Sequence, residues 1–177
     1  MDAKRSLNGA LAGAAAATAW AAQQPLDKQV FGTDYDDVEL LGKLATRGPG
    51  WPAAGLALHA ANGALFGAVY AQVRPFLPGH PLVGAMIAGM AEHVALWPLG
   101  RVSDRLHPAR KELEPLSGNR RALAAATWRH ALFAVVLGTL EARLNAPLVA
   151  EEPPEVPAAS NGHGDIETAV GATTTSS

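Results

Sequence analysis

The sequence predicts an all-α integral membrane protein: a four-helix transmembrane bundle with a short interfacial helix after the first span. Three observations predict it. Charges punctuate the chain at membrane-sized intervals, Trp and basic residues gather in the same connections, and every apolar stretch carries small residues four apart. A bilayer core about 30 Å thick takes roughly 20 largely apolar residues per helix. No charge stands between Arg5 and Asp27 or between Arg47 and Arg74. Glu92 is the only charge from Pro75 to Gly100, and Arg129 the only one from Ala122 to Leu140. The spans therefore fall near 7–24, 53–73, 81–100 and 122–142, within a transmembrane domain of residues 1–143.

The first span is rich in Ala and Gly, which contribute little insertion energy. Lys4-Arg5, the apolar stretch and Ala19-Trp20-Ala21 also fit a cleavable signal peptide, and removal of it would leave a soluble helical bundle. The Gly9/Gly13 pair argues for a retained, packed helix, because small residues four apart let backbones approach closely in lipid. The same spacing recurs at Gly63/Gly67, Gly84/Ala88 and Ala134/Gly138. A second copy of the chain, docked through such faces, is the protein partner these notches would suit, beside the lipid bilayer itself.

The first connection carries a helix signal at 34–44. Asp residues occupy its first turn, and Val38, Leu41, Leu44 and Ala45 form an apolar stripe that would rest on the bilayer. The Asp34/Asp36/Asp37 cluster lacks the Gly and Glu of a calcium loop and reads as a solvated helix start. Pro98 bends the end of the third helix, and Ser117-Gly-Asn119 forms a turn and cap ahead of the fourth. In the four-span arrangement Trp20, Trp51, Trp97 and Trp128 all fall at one interface. The connections 24–52 and 101–121 hold nine Lys and Arg against four on the opposite side (Lys4, Arg5, Arg74 and Arg143), which directs both connections to the cytoplasm and both termini outward. From 144 to 177 there are five acidic residues and no Lys or Arg, with Pro, Ser, Thr and Gly throughout, so this tail is expected to be disordered.

Composition closes off several functions. With 49% hydrophobic and 17% charged residues, the 177-residue chain is too apolar to be disordered and long enough for one domain. Zero Cys excludes disulfides, thiolate metal sites, Cys nucleophiles and lipidation through Cys. A net charge of −2 gives no electrostatic case for nucleic acid. There is no G-x-S-x-G, P-loop or dinucleotide fingerprint, so hydrolase and NTPase activities have no support and no cofactor is expected.

Ionisable groups inside spans are costly and mark packed interiors or pathways. His59, Asn62, Gly63, Phe66, Gly67 and Tyr70 share one face of the second helix. Ala85, Ala88, Gly89, Glu92 and Leu96 form a stripe on the third with His93 at its edge, and His130, Ala134, Gly138 and Glu141 share a face of the fourth beside Arg129. The intramembrane polar cluster is thus His59, Asn62, Glu92, His93, Arg129 and His130. A structural reading pairs Glu92 with Arg129 and bonds His59 or His130 to Asn62 or a carbonyl. A functional reading has Glu92 and the histidines line a cavity that exchanges protons or holds a polar ligand. No spacing brings two of these residues together as metal ligands on one helix, so no metal is expected.

The stretch Leu82 to Gly100 resembles the YagU-like family of small bacterial inner-membrane proteins. Gly84, Gly89, His93, Pro98 and Leu99 match its pattern, as do Phe66-Gly-Ala-Val-Tyr70, Arg74-Pro-Phe-Leu-Pro78 and His130-Ala-Leu-Phe133. The likeness covers about Gly9 to Leu144; the basic connection and acidic tail depart from it. The resemblance implies four helices in a bacterial inner membrane and no catalytic residues. Two functions follow as expectations: a non-enzymatic membrane protein acting through helix packing and partner contacts, or a small carrier or proton-responsive protein using the polar cluster.

Overall fold

Why each helix starts and stops is visible in its caps. Helix α1 (Ala3–Phe31) begins at Asp2, whose carboxylate accepts from the N–H groups of Lys4 (2.9 Å) and Arg5 (3.3 Å). It runs through Pro25 and ends at Gly32, where φ is +63° and the Thr33 N–H bonds back to the Lys28 carbonyl. Helix α2 (Asp37–Ala45) is capped by Asp36, and α3 (Trp51–Val73) starts on Trp51-Pro52. A 3₁₀ turn at Arg74–Phe76 leads to α4 (Pro81–Leu96), and a second at Trp97–Leu99, on Pro98, leads to α5 (Gly100–Leu106). Asn119 launches α6 (Arg120–Ala150) by accepting from the N–H groups of Arg121 and Ala122, as the sequence predicts. The structure is a computed structural model and describes residues 2–150, with side chains through Leu148.

The described residues are all-helical apart from turns and connections. Trp51–Phe76, Pro81–Leu106 and Arg120–Leu148 are each long and apolar enough to cross a membrane, at 26, 26 and 29 residues. Packing is inverted relative to a water-soluble bundle. Among the described residues ten of the fifteen buried apolar ones are Ala, whereas Leu65, Val69, Ile87, Val94 and Leu99 stand exposed, so the large apolar side chains face the surroundings and the small ones face each other.

Two seams follow from that choice. On α1 and α3 the Gly9/Gly13 and Gly63/Gly67 notches interlock: a Cβ at Gly13 would collide with the Gly63 carbonyl, and one at Gly63 would sit 2.5 Å from the Gly13 carbonyl oxygen. On α4 and α6 the seam is Ala85/Gly89 against Ala134/Gly138, with a Cβ at Gly138 reaching the Ala85 Cβ at 2.8 Å. The expected Gly84/Ala88 notch is therefore displaced by one residue, Gly84 facing the Tyr70 hydroxyl and Leu77 instead. Both seams are spent inside one chain. Helices α3 and α4 make at most glancing backbone contact with each other.

Trp20 is buried, its indole N–H donating to Asp37 at 3.1 Å. In α2 Val38 and Gly42 approach the start of α3, through Gly55 and the Trp51 carbonyl, while Leu44 and Ala45 of the stripe expected to rest on the bilayer are exposed. One expectation is corrected. The tail expected from residue 144 opens as helix: Asn8 donates to the Leu144 carbonyl (2.9 Å) and to the Asn145 side chain (3.0 Å), and Asn145 donates to Glu141. Residues 151–177 lie outside the described residues.

The two long connections fold onto each other. Thr33 donates to Glu114 (2.8 Å), Lys43 and Arg47 both bind Glu112, and a ring nitrogen of His107 lies 3.0 Å from the Leu40 carbonyl. Hydrogen bonds from Lys43 and Arg47 hold the Glu112 carboxyl below its ordinary range. Burial opposes ionisation of Asp36, but hydrogen bonds from Lys28 and the Glu39 N–H outweigh it, so that carboxyl is also lowered.

Two expectations follow. Gly13→Val, which drives a branched side chain into the α3 backbone, should cost about 1–3 kcal/mol or more by overpacking. Gly50→Ala, where nothing lies within 4 Å, should leave unfolding in detergent unchanged. The second concerns acid. Because the Glu112 and Asp36 pKa values are lowered on folding, their contribution is complete above the ordinary carboxylate range near about 4 and is lost as pH falls through the lowered values. Hydrogen exchange over 32–50 should therefore accelerate only on strong acidification. Glu112→Gln should show part of that acceleration at neutral pH.

Candidate functional site

At the centre of the described residues lies a guanidinium with no exposure. Arg129 on α6 donates through Nε (2.7 Å) and Nη2 (2.5 Å) to the two oxygens of Asp27 on α1. It also donates through Nη1 to Asp37 on α2 (2.8 Å) and through Nη2 to the Tyr35 carbonyl (3.0 Å). The Tyr35 ring stacks under it at 5.1 Å. The carboxylates are themselves held: Gln23 donates to Asp27, and the Trp20 indole and the Tyr35 hydroxyl donate to Asp37. Burial and then the Asp37 charge push the Tyr35 phenol well above its ordinary value, so it stays a donor. Three elements are tied by a charge that cannot be left unpaired in a low dielectric.

Beside this knot is a cavity of about 410 Å³, lined by α3, by α4 and its following turn, and by α6, with Trp20 and Asp37 also on its wall. His59, Asn62, Glu92, His93 and His130 all line it. Hydrogen-bond donors and acceptors fix the proton positions. His130 Nδ1 lies 2.7 Å from the Ala126 carbonyl, which only accepts, so Nδ1 carries a hydrogen. Its Nε2 lies 2.9 Å from Glu92 Oε2. With Nδ1 protonated, a bond there needs one further proton, on the ring or on the carboxyl. The pair therefore shares one proton and is neutral overall.

Thr127 gives its single hydroxyl hydrogen to the Leu123 carbonyl (2.8 Å), so it accepts from His93 Nε2 at 2.9 Å. A neutral His93 then presents a bare Nδ1. The His93 and His130 rings are 4.4 Å apart, and Trp20 stands edge-on to both His59 (5.1 Å) and His130 (4.6 Å). His59 is 8% exposed, and its Nε2 has no hydrogen-bond partner among the described residues.

Of the six cluster residues predicted from sequence, five thus meet at the cavity, and Arg129 sits behind its wall. The expected Glu92–Arg129 pair does not form. Arg129 is the centre of the buried face of α6 and His130 its edge, while on α4 the buried line is Ala85, Gly89 and His93 with Glu92 at the margin. Each face is turned by one residue from the predicted stripe, which swaps the partners. Trp20, Asp27, Tyr35 and Asp37 were missed as site residues. The available signal was Arg129 itself: a buried guanidinium with five N–H donors needs more acceptor oxygen than one distant carboxylate supplies.

Comparison of the chain with protein-family models, with curated proteins and with solved structures finds no match.

Removing Arg129 strands two carboxylates. Arg129→Met should destabilise the fold by about 3–5 kcal/mol, read as a loss of folded protein in detergent, and Arg129→Lys should rescue only part because the ammonium cannot reproduce the side-on pairing with Asp27. Asp27→Asn should cost more than Asp37→Asn, since the Asp27 side chain is 2% exposed against 14% for Asp37.

Proposed function

We propose that the chain is a non-enzymatic multi-pass membrane protein whose activity resides in the cavity, as a proton-responsive binding site, with α1 crossing the bilayer beside α3, α4 and α6. Three helices long and apolar enough to span, and a core of Ala and Gly beneath exposed Leu, Val and Ile, support the membrane setting. A fourth span fits the close α1–α3 seam, and α2 fits an interfacial helix at the end where the two basic connections meet. The excess of Lys and Arg in those connections favours that end as the cytoplasmic one. The resemblance to the YagU-like family points to a bacterial inner membrane.

Between the two expected modes of action, the cavity favours the second. Faces suited to helix association are occupied within the chain, whereas the polar cluster is gathered on an open wall. The carrying observation is the His130–Glu92 pair, 2.9 Å apart and sharing one proton beside Trp20. His130 is faced by His93 and Glu92 from α4 and by Trp20 from α1, while His59 of α3 meets Trp20 from another side. Asp37 of α2 lies on the same wall. Loss of the shared proton leaves the pair anionic.

The test uses Trp20 as reporter, with Trp51, Trp97 and Trp128 replaced by Phe. A cationic imidazole quenches an adjacent indole, so Trp20 emission should fall as pH drops from about 8 to about 5, the range in which histidines charge. Glu92→Gln, which takes away the carboxylate that holds the shared proton, should move the His130 component to lower pH and leave the His59 component in place, with the helix content intact. Superposable titrations of the parent and Glu92→Gln proteins would refute the reading.

A further inference from the structure

We infer that the cavity takes a monovalent ammonium cation carried on a compact apolar body, an inference that rests on the cavity being a binding site. Charge accounting comes first. Asp27 and Asp37 face a single guanidinium, Arg129, which leaves one negative charge in excess; Lys28 balances Asp36 at 2.8 Å, and the His130–Glu92 pair is neutral with its shared proton. Tyr35 stays protonated. The wall that carries Asp37 and Glu92 is therefore net negative at neutral pH.

Hydrogen-bond accounting points the same way. Glu92 uses Oε2 on His130, and its Oε1 accepts no hydrogen bond among the described residues. His93, with Nε2 committed to Thr127, offers a lone pair at Nδ1. These are acceptors, and they suit a primary or secondary ammonium, which has only donors. A carboxylate would meet Asp37 and Glu92 with like charge. A neutral alcohol could use the acceptors but would leave the excess charge uncompensated.

The remainder of the wall fits an apolar body. Trp20, Tyr35, Phe66, Trp97 and Phe133 present aromatic surface, and aromatic faces attract a cation as well as apolar carbon. About 410 Å³ lies within the range of small-molecule sites. Asn62 is exposed at the rim and the Glu92 side chain is 35% exposed, so the polar groups mark the side where α3 and α4 stand apart. A molecule that partitions into a bilayer has its charged head stabilised there.

The experiment is calorimetry on the full chain in nanodiscs with three probes that share one phenylethyl body: 2-phenylethylammonium, 2-phenylethanol and 3-phenylpropanoate. The ammonium should bind at least about tenfold more tightly than either competitor, and Glu92→Gln should lose about tenfold. Linkage fixes the sign with pH: a cation at Glu92 weakens proton binding to the pair, so ammonium affinity should rise from about pH 6 to about pH 8, where the amine stays charged. Equal binding of the alcohol, tighter binding of the carboxylate, or no ammonium binding at millimolar concentration would each overturn the inference. The Trp20 titration is read on the same samples without probe. Its persistence would confine the failure to the ligand class, and its absence would remove the proton-responsive site as well.

Discussion

A guanidinium with no access to solvent has to be satisfied where it stands, and the arrangement of half the chain follows from how Arg129 achieves this. Its N–H groups require acceptors on more than one side, and α6 supplies none for them. Asp27 therefore has to be delivered by α1, which is why that helix continues past Pro25 for another turn and a half rather than stopping at the proline. Asp37 has to be delivered by α2, which sets how the first connection folds back over the bundle. Once both carboxylates are inside, their remaining lone pairs need donors, and Gln23, the Trp20 indole and the Tyr35 hydroxyl are drawn in as a second ring. Trp20 thereby acquires the edge-on position from which it separates His59 from His130.

Helix pairing is governed by a different economy. In the proposed bilayer setting there is no apolar driving force between helices, so close backbone approach and the dispersion contacts it permits have to hold them together. The Gly9/Gly13 and Gly63/Gly67 notches do this for α1 and α3, and Ala85/Gly89 with Ala134/Gly138 do it for α4 and α6. Because each helix spends its small residues on one neighbour, α3 and α4 have none left for each other. Larger residues line the space between them, Phe66 on α3 and Leu96 and Trp97 at the end of α4, and the cavity is what their mismatch leaves.

The helices were legible from the sequence because the spacing of charges is a long-range signal that survives errors of a few residues. The chain shows this at α4, whose start at Pro81 and bend at Pro98 coincide with the expected bounds. Helix faces were less legible. Adjacent residues point about 100° apart, and in a stretch as uniformly apolar as Gly84 to Ala91 two neighbouring stripes are equally suited to face inward, so the choice between Glu92 and His93 as the inward residue rested on little. That rotation, with the matching one on α6, accounts for the mistaken Glu92–Arg129 pair. Asp27 and Asp37 escaped for another reason. Each sits at or beyond the end of an apolar run, where a carboxylate is ordinarily solvated, and only the tertiary fold brings the first connection inward.

The two charged groups of the interior differ in what they can change. Arg129 does not deprotonate in proteins, and its two carboxylates are bound on nearly every lone pair, so this knot contributes a fixed charge of one negative unit. The His130–Glu92 pair holds one proton, and either neighbouring protonation state is reached by adding or removing one more. Placed beside a constant negative charge, the pair sets, in the proposed reading, whether the cavity carries one negative unit or two. Binding the shared proton lowers the charge to one unit and weakens the field that would hold a cation. On that proposal a fixed and an adjustable charge on one wall act as a proton-controlled electrostatic switch, one that needs no helix to move.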